Sequence, residues 1–134
     1  MERQCVAVVE DNADNRLLLH AFLDHLYELT DYETGPAALE GLRDSPPDLV
    51  LLDISLPDMD GVEVLARIRG DERFKHLPVI ALTAHAMAGD REKYLAAGFD
   101  NYVAKPIVDE KVLLRAVERG LRRSVGSTCA AAVA

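Results

Sequence analysis

The chain has 134 residues, 49% of them hydrophobic and 28% charged, and carries a formal net charge of −8. That length suits one globular domain with one sizeable core, and the acidic balance argues against non-specific nucleic-acid or membrane-surface binding, which relies on basic patches. No apolar run approaches the roughly 20 residues of a membrane span, and Met1-Glu2-Arg3-Gln4-Cys5 lacks the shape of a signal peptide.

Gln4 to Val9 is a short apolar run that reads as the first strand, ending in Glu10-Asp11. Asn12 and Asp14 offer capping oxygens for a helix over 15–27, in which Leu18, Phe22 and Leu26 recur at helical spacing beside Leu19 and Leu23. Tyr27 to Asp31 reads as a weaker, more polar strand at a sheet edge. Thr34-Gly35-Pro36 starts the second helix, since Thr34 can cap and proline fits a first turn; Ala38, Leu39 and Leu42 form its inner face.

Pro46-Pro47 leads into Leu49-Val50-Leu51-Leu52-Asp53, an aliphatic run that reads as a strand buried on both faces. Val62, Leu65, Ala66 and Ile68 mark a third helix ended near Gly70. Pro78 to Leu82 is a fourth strand running into Thr83-Ala84, and a helix over 87–97 is closed by Gly98. Asn101 to Ala104 is a fifth strand ending at Lys105-Pro106, followed by a helix over 108–122. A domain over 1–123 and a frayed tail over 124–134 are expected. Cys5 and Cys129 are too few for a disulfide scaffold and read as reduced cytosolic thiols.

Five alternations of strand and helix imply a parallel sheet covered on both faces through right-handed crossovers. All parallel strands then point their carboxyl ends to one rim, where open α/β sheets bind ligands. Glu10, Asp11, Asp53, Thr83 and Lys105 stand at that rim. If the first and third strands are neighbours, three carboxylates converge. Two unit charges about 4 Å apart repel by roughly 1 kcal/mol in water and by more at lower effective dielectric, so the cluster calls for a cation. Its hard oxygen donors favour Mg²⁺ or Mn²⁺ over zinc. A nucleophilic carboxylate, a metal, an ammonium and a hydroxyl suit phosphoryl transfer, with Asp53 becoming an acyl phosphate.

Glu10-Asp11-Asn12, Asp53-Ile54-Ser55-Leu56-Pro57-Asp58-Met59-Asp60-Gly61, Leu82-Thr83-Ala84 and Tyr102-Val103-Ala104-Lys105-Pro106 together closely resemble the CheY-like receiver domains of two-component response regulators. The resemblance covers residues 4–122. It implies a flavodoxin-like (βα)5 three-layer sandwich with strand order 2-1-3-4-5. It further implies that Asp53 accepts a phosphoryl group from a histidine kinase or phosphotransfer protein. Asp11 and Asp53 would bind Mg²⁺ directly, Glu10 through water, and the Ser55 carbonyl as a further ligand. Lys105 would pair with a phosphoryl oxygen, aimed by a cis bond to Pro106. Thr83 would move toward the phosphoryl group and Tyr102 swing inward behind it. Ala84 is small, as the family prefers beside the site. The face of the fourth helix, fifth strand and fifth helix, near Met87, Lys111 and Arg115, would dock a target or form a weak homodimer.

Taken singly, each residue has a plainer reading. Asp11 can cap a helix, Asp58 and Asp60 form a turn with Gly61, and Thr83 can cap the fourth helix. Tyr102 can be ordinary half-buried packing. His20, His25, His76 and His85 lack ligand spacing, although His85 lies near the site mouth. The joint pattern favours a stand-alone cytoplasmic receiver with no DNA-binding output and no catalysis beyond its own phosphorylation and dephosphorylation. A receiver fragment of a hybrid kinase and a phosphorylation-independent scaffold are the alternatives. An aspartate-nucleophile phosphohydrolase commonly carries a second aspartate where Ser55 stands, and a flavin carrier would need a phosphate loop where Glu10, Asp11 and Asp14 would repel one.

Overall fold

The computed structural model describes residues 4–56, 59–84, 90–105 and 109–123. Five strands, β1 (Cys5–Val9), β2 (Glu28–Tyr32), β3 (Leu49–Asp53), β4 (Val79–Thr83) and β5 (Asn101–Ala104), alternate with α1 (Ala13–Leu23), α2 (Gly35–Asp44), α3 (Gly61–Arg69), α4 (Asp90–Ala97) and α5 (Glu110–Arg123). A 3-10 turn, Glu72–Phe74, precedes β4. All strand pairs are parallel and the order is β2-β1-β3-β4-β5.

The three layers follow from the two-residue period of the strands. Val6, Val8, Leu49, Leu51, Ile80, Leu82 and Val103 face α1 and α5, meeting Leu19, Leu23, Leu113, Val117 and Leu121. The alternate residues Ala7, Val9, Val50, Leu52, Val79 and Ala81 face α2, α3 and α4. β1, β3 and β4 are buried at every position, as strands covered on both faces must be. The polar β2 lies at the edge, as expected, although it runs one residue later than the sequence suggests.

Caps explain most element boundaries. Asn12 Oδ1 accepts the Asn15 N–H at 3.0 Å, so α1 starts at Ala13 rather than Asn15. It also ends four residues before Tyr27. The Leu26 and Tyr27 N–H groups both donate to the Leu23 carbonyl, each at 2.9 Å, tightening the chain into a turn that feeds β2. Leu26, expected on the inner stripe, is consequently exposed, and Leu19 and Leu23 carry the buried face. Thr34 caps α2 through the Ala37 N–H at 3.2 Å, with Pro36 in the first turn. In α3, Val64 joins Leu65 and Ile68 in the core, whereas Ala66 faces solvent. Gly98 closes α4 at φ 115°, a conformation that glycine alone adopts without strain. The expected starts of the fourth and fifth helices, Met87 and Val108, lie outside the described residues.

Arg69 ties the far end of the sheet together. Its guanidinium donates to the carbonyls of Phe74, Leu77 and Gly98 and to Asp100. Asp100 in turn accepts the Val79 N–H at 2.8 Å, so α3, β4 and the approach to β5 share one knot.

One expectation is corrected. Cys5, buried at the start of β1, is disulfide-bonded rather than a reduced thiol. Two cysteines are too few for a scaffold, but that count does not prevent a single bridge. Cys129 lies outside the described residues. Among the described residues no helix is long and apolar enough to cross a membrane.

Candidate phosphoryl-acceptor site

Parallel register delivers the site. Val9 pairs with Leu52, Asp53 with Leu82 and Thr83 with Ala104, so the residues that end β1, β3, β4 and β5 stand side by side at the carboxyl rim. Backbone bonds carry the order past the strands. Glu10 N–H donates to the Tyr32 carbonyl at 3.0 Å, and Lys105 N–H donates to the Thr83 carbonyl at 2.7 Å. Arg16 on α1 donates to the Glu10 carbonyl at 2.8 Å.

The three carboxylates do converge. One oxygen from each of Glu10, Asp11 and Asp53 lies within 4.8 Å of the others. Glu10 and Asp53 are buried and Asp11 is exposed, which leaves the cluster open on one side. Lys105 closes the other. Its Nζ stands 3.1 Å from Asp53 Oδ2 and 3.2 Å from Glu10 Oε1. The Ser55 N–H donates to Asp53 Oδ1 at 3.0 Å, and the Asn12 N–H to Glu10 Oε2 at 3.2 Å, so each buried carboxylate is also held by backbone.

Electrostatics separates their roles. Burial, a hydrogen bond shared with Asp53 and the Asp53 charge push the Glu10 carboxyl up to about 7, against the pull of the Asn12 amide and Lys105. Burial opposes the charge on Lys105, but Asp53 and Glu10 outweigh it and hold the ammonium above its ordinary value. The lysine therefore stays cationic at neutral pH. Without a metal, Glu10 shares its side of the cluster with a proton. Hard oxygens, a net negative pocket and one open side fit a divalent cation of the Mg²⁺ type.

Gly61 lets the loop after β3 pass close over Asp53. A Cβ there would lie 2.6 Å from the Asp53 carbonyl oxygen and 2.7 Å from Ile54 Cα. Both neighbours are backbone and cannot swing away. Gly61→Ala is therefore expected to cost about 2 kcal/mol or more of stability, read by denaturant unfolding, and to weaken metal binding by displacing Asp53. Unchanged stability would show that the loop has slack. Asp60, read as a turn former, caps α3 through the Val62 N–H at 2.8 Å.

Thr83 is buried at the end of β4, and its Oγ1 lies 2.9 Å from the Tyr94 hydroxyl of α4. Tyr102 is half-buried on β5, its ring centroid 6.0 Å from that of Tyr94. Ser55 and Ala84 are exposed at the rim. Pro57, Asp58, His85, Met87 and Pro106 lie outside the described residues, and with them the expected cis bond.

The model of the response regulator receiver domain matches residues 6–118, which spans the sheet from the second residue of β1 through β5 and the whole rim. This chain is a member of that family. It is 42% identical over 103 residues to the polar-differentiation response regulator DivK of Brucella ovis, covering 76% of this chain and 84% of DivK. It is also 42% identical over 108 residues to the signal transduction histidine-protein kinase BarA of Escherichia coli, but there it spans only 12% of the relative's length. Among solved structures, a putative response regulator from Chloroflexus aurantiacus superposes with a TM-score of 0.85 at 27% identity, covering 90% of this chain and 99% of that one. The receiver domain of a Pseudomonas aeruginosa sensor histidine kinase, with a magnesium ion coordinated in its active-site cleft, gives 0.81 at 36% identity over 90% and 98% of the two chains.

Receiver domains are signalling modules of two-component systems. Of the residues expected at the site, Glu10, Asp11, Asp53, Ser55, Thr83 and Lys105 stand at the rim, whereas Tyr102 pairs with Ala81 inside β5. Two neighbours of the site were not legible beforehand. The sequence assigns no role to Arg16 on α1 or to Tyr94, one aromatic in the polar run Asp-Arg-Glu-Lys-Tyr-Leu-Ala-Ala. Its position four residues before the helix-ending Gly98 was the available signal, because a lone ring on a polar helix is usually buried.

Proposed function

We propose that this receiver accepts a phosphoryl group on Asp53 from the phosphohistidine of a kinase or phosphotransfer protein and relays the change to a protein partner. The Asp53 carboxylate, buried and paired with Lys105 inside an oxygen cluster, is the observation that carries this reading. Glu10, Asp11, Asp53 and the Ser55 carbonyl would hold Mg²⁺, or Mn²⁺ in its place. The dication, when bound, neutralises phosphoryl oxygens and so lowers the barrier to transfer.

Asp53 supplies the nucleophile. One of its oxygens bonds to phosphorus as the phosphorus–nitrogen bond of the donor breaks, and the electron pair leaves with the imidazole, which takes up a proton. Lys105 offsets charge on a phosphoryl oxygen, and Thr83 donates its hydroxyl to another. The product carries a charge of about −1.5 to −2 in place of −1, and states that engage it better become more populated. Tyr102 is half-buried on β5 beside Tyr94, whose hydroxyl meets that of Thr83. A groove of Asn101, Tyr102, Val112, Arg115, Ala116 and Arg119 there belongs to the face that would dock a target or a second copy. The kinase relatives support a second setting, in which the same site serves as a module of a larger kinase.

The test is intact-protein mass after incubation with Mg²⁺ and acetyl phosphate. One base-labile phosphoryl adduct is expected, absent when the metal is chelated. Borohydride should convert the modified residue to homoserine in the peptide that contains Asp53. A wild-type protein that takes neither acetyl phosphate nor beryllofluoride would favour the scaffold reading.

A further inference from the structure

We propose that Tyr94 is a positioning residue of this site, a latch that holds the Thr83 hydroxyl and must yield when Thr83 turns to the phosphoryl group. The inference rests on the acceptor role proposed for Asp53. Thr83 and Tyr94 are 1% and 4% exposed, and their hydroxyls meet at 2.9 Å across the gap between β4 and α4. The phenol is not free to wander. Phe99 packs edge-on against its ring, with centroids 6.1 Å apart at 89°, and Tyr102 lies tilted at 6.0 Å.

The Thr83 backbone is fixed as well, because it pairs with Ala104 and accepts the Lys105 N–H. Thr83 can therefore reach toward Asp53 chiefly by rotating about χ1, which is stiff in a β-branched residue. That rotation breaks or drags the bond to Tyr94. Tyr94 belongs to α4 and touches Tyr102 of β5, so release of one hydroxyl loosens two elements of the proposed docking face together. A buried tyrosine that merely satisfies its hydroxyl would share this geometry but not its dependence on the ligand state of Asp53.

A double-mutant cycle separates the two. The dissociation constant for beryllofluoride with Mg²⁺ is measured for wild type, Tyr94→Phe, Thr83→Val and the double variant, with thermal unfolding as a check on the fold. Tyr94→Phe is expected to tighten beryllofluoride binding about two- to tenfold, the range of one ordinary hydrogen bond, and to have no effect in the Thr83→Val background. An equal shift in both backgrounds, or none in either, overturns the latch. A second measurement needs no variant. The Tyr94 ring resonances of the wild type should move when beryllofluoride binds, and unmoved resonances in the saturated protein also overturn it. Binding of beryllofluoride by wild type with a flat cycle removes the latch and leaves the acceptor reading intact, whereas no binding by wild type removes both.

Discussion

Asp53→Asn is expected to take up no phosphoryl group from acetyl phosphate under conditions where the wild type takes one. The two side chains have the same shape, and the Ser55 N–H that donates to Asp53 Oδ1 can donate equally to an amide oxygen. Loss of the adduct then reports chemistry rather than collapse, because an amide oxygen is a far weaker nucleophile than a carboxylate. The same change removes one of the three charges facing the proposed metal. A pair of unit charges at about 4 Å is worth roughly 4 kcal/mol at the effective dielectric of a protein surface. Part of this is offset by relief of repulsion with Glu10 and Asp11, so Mg²⁺ affinity should fall by at least about tenfold. Mass spectrometry checks the first outcome and calorimetric Mg²⁺ titration the second. A full adduct on the asparagine variant would move the acceptor elsewhere.

The strands were legible because their burial is extreme. Leu49-Val50-Leu51-Leu52 admits little besides a strand covered on both faces, and its last residue then has to stand at the rim. Once β1 and β3 are neighbours, Glu10, Asp11 and Asp53 must meet, and periodicity alone carries the argument that far. What the sequence could not display is the balance of forces after they meet. Glu10 reads as a strand-end acid like Asp11, yet one is buried and the other exposed. That difference arises from packing of the rim, and burial is the main cause that raises the Glu10 carboxyl.

Helix ends were the weakest part of the reading. Asn12 and Asp14 are both plausible caps, and only the N–H that each can reach distinguishes them. At the other end of α1 the stripe of leucines runs on through Leu26, but two N–H groups converge on the Leu23 carbonyl and stop the helix there. Arg69 shows a related limit. In sequence it is a cation in a last turn, whereas in the fold its guanidinium satisfies three carbonyls that lie 5, 8 and 29 residues further on. The Thr83–Tyr94 bond is invisible for the same reason. Its partners are 11 residues apart on different elements, and no local pattern pairs them.

Lys105→Met is expected to be the most pH-dependent substitution in the molecule. Its Nζ is the cation within reach of both buried carboxylates, and its side chain is only 16% exposed. Removing one partner of a buried ion pair leaves uncompensated charge and costs about 3 kcal/mol, or roughly 10 °C of melting temperature for a domain of this size. The signs fix where that cost appears. A lysine whose folded pKa is raised stabilises fully below its unfolded value of 10.5 and loses this only as pH rises through the folded value, so the wild-type contribution is intact throughout neutral pH. Glu10 has the same sign but acts at lower pH. Its carboxyl is raised from 4.5 to about 7, so the fold prefers its neutral form, and the metal-free protein loses stability as pH climbs between those values. Without Lys105 no cation among the described residues is paired with these two carboxylates to offset the second negative charge. The variant should therefore melt below wild type at pH 5, where the Asp53 charge has lost its partner while Glu10 is protonated, and further below it at pH 8, where both carboxylates are left facing each other. Mg²⁺ should recover much of the difference at pH 8, because a dication bound to the same oxygens supplies the missing counter-charge. Thermal unfolding at the two pH values, with and without Mg²⁺, tests both halves. Equal losses at pH 5 and pH 8 would mean that Lys105 acts through packing of its methylene stem and not through its charge.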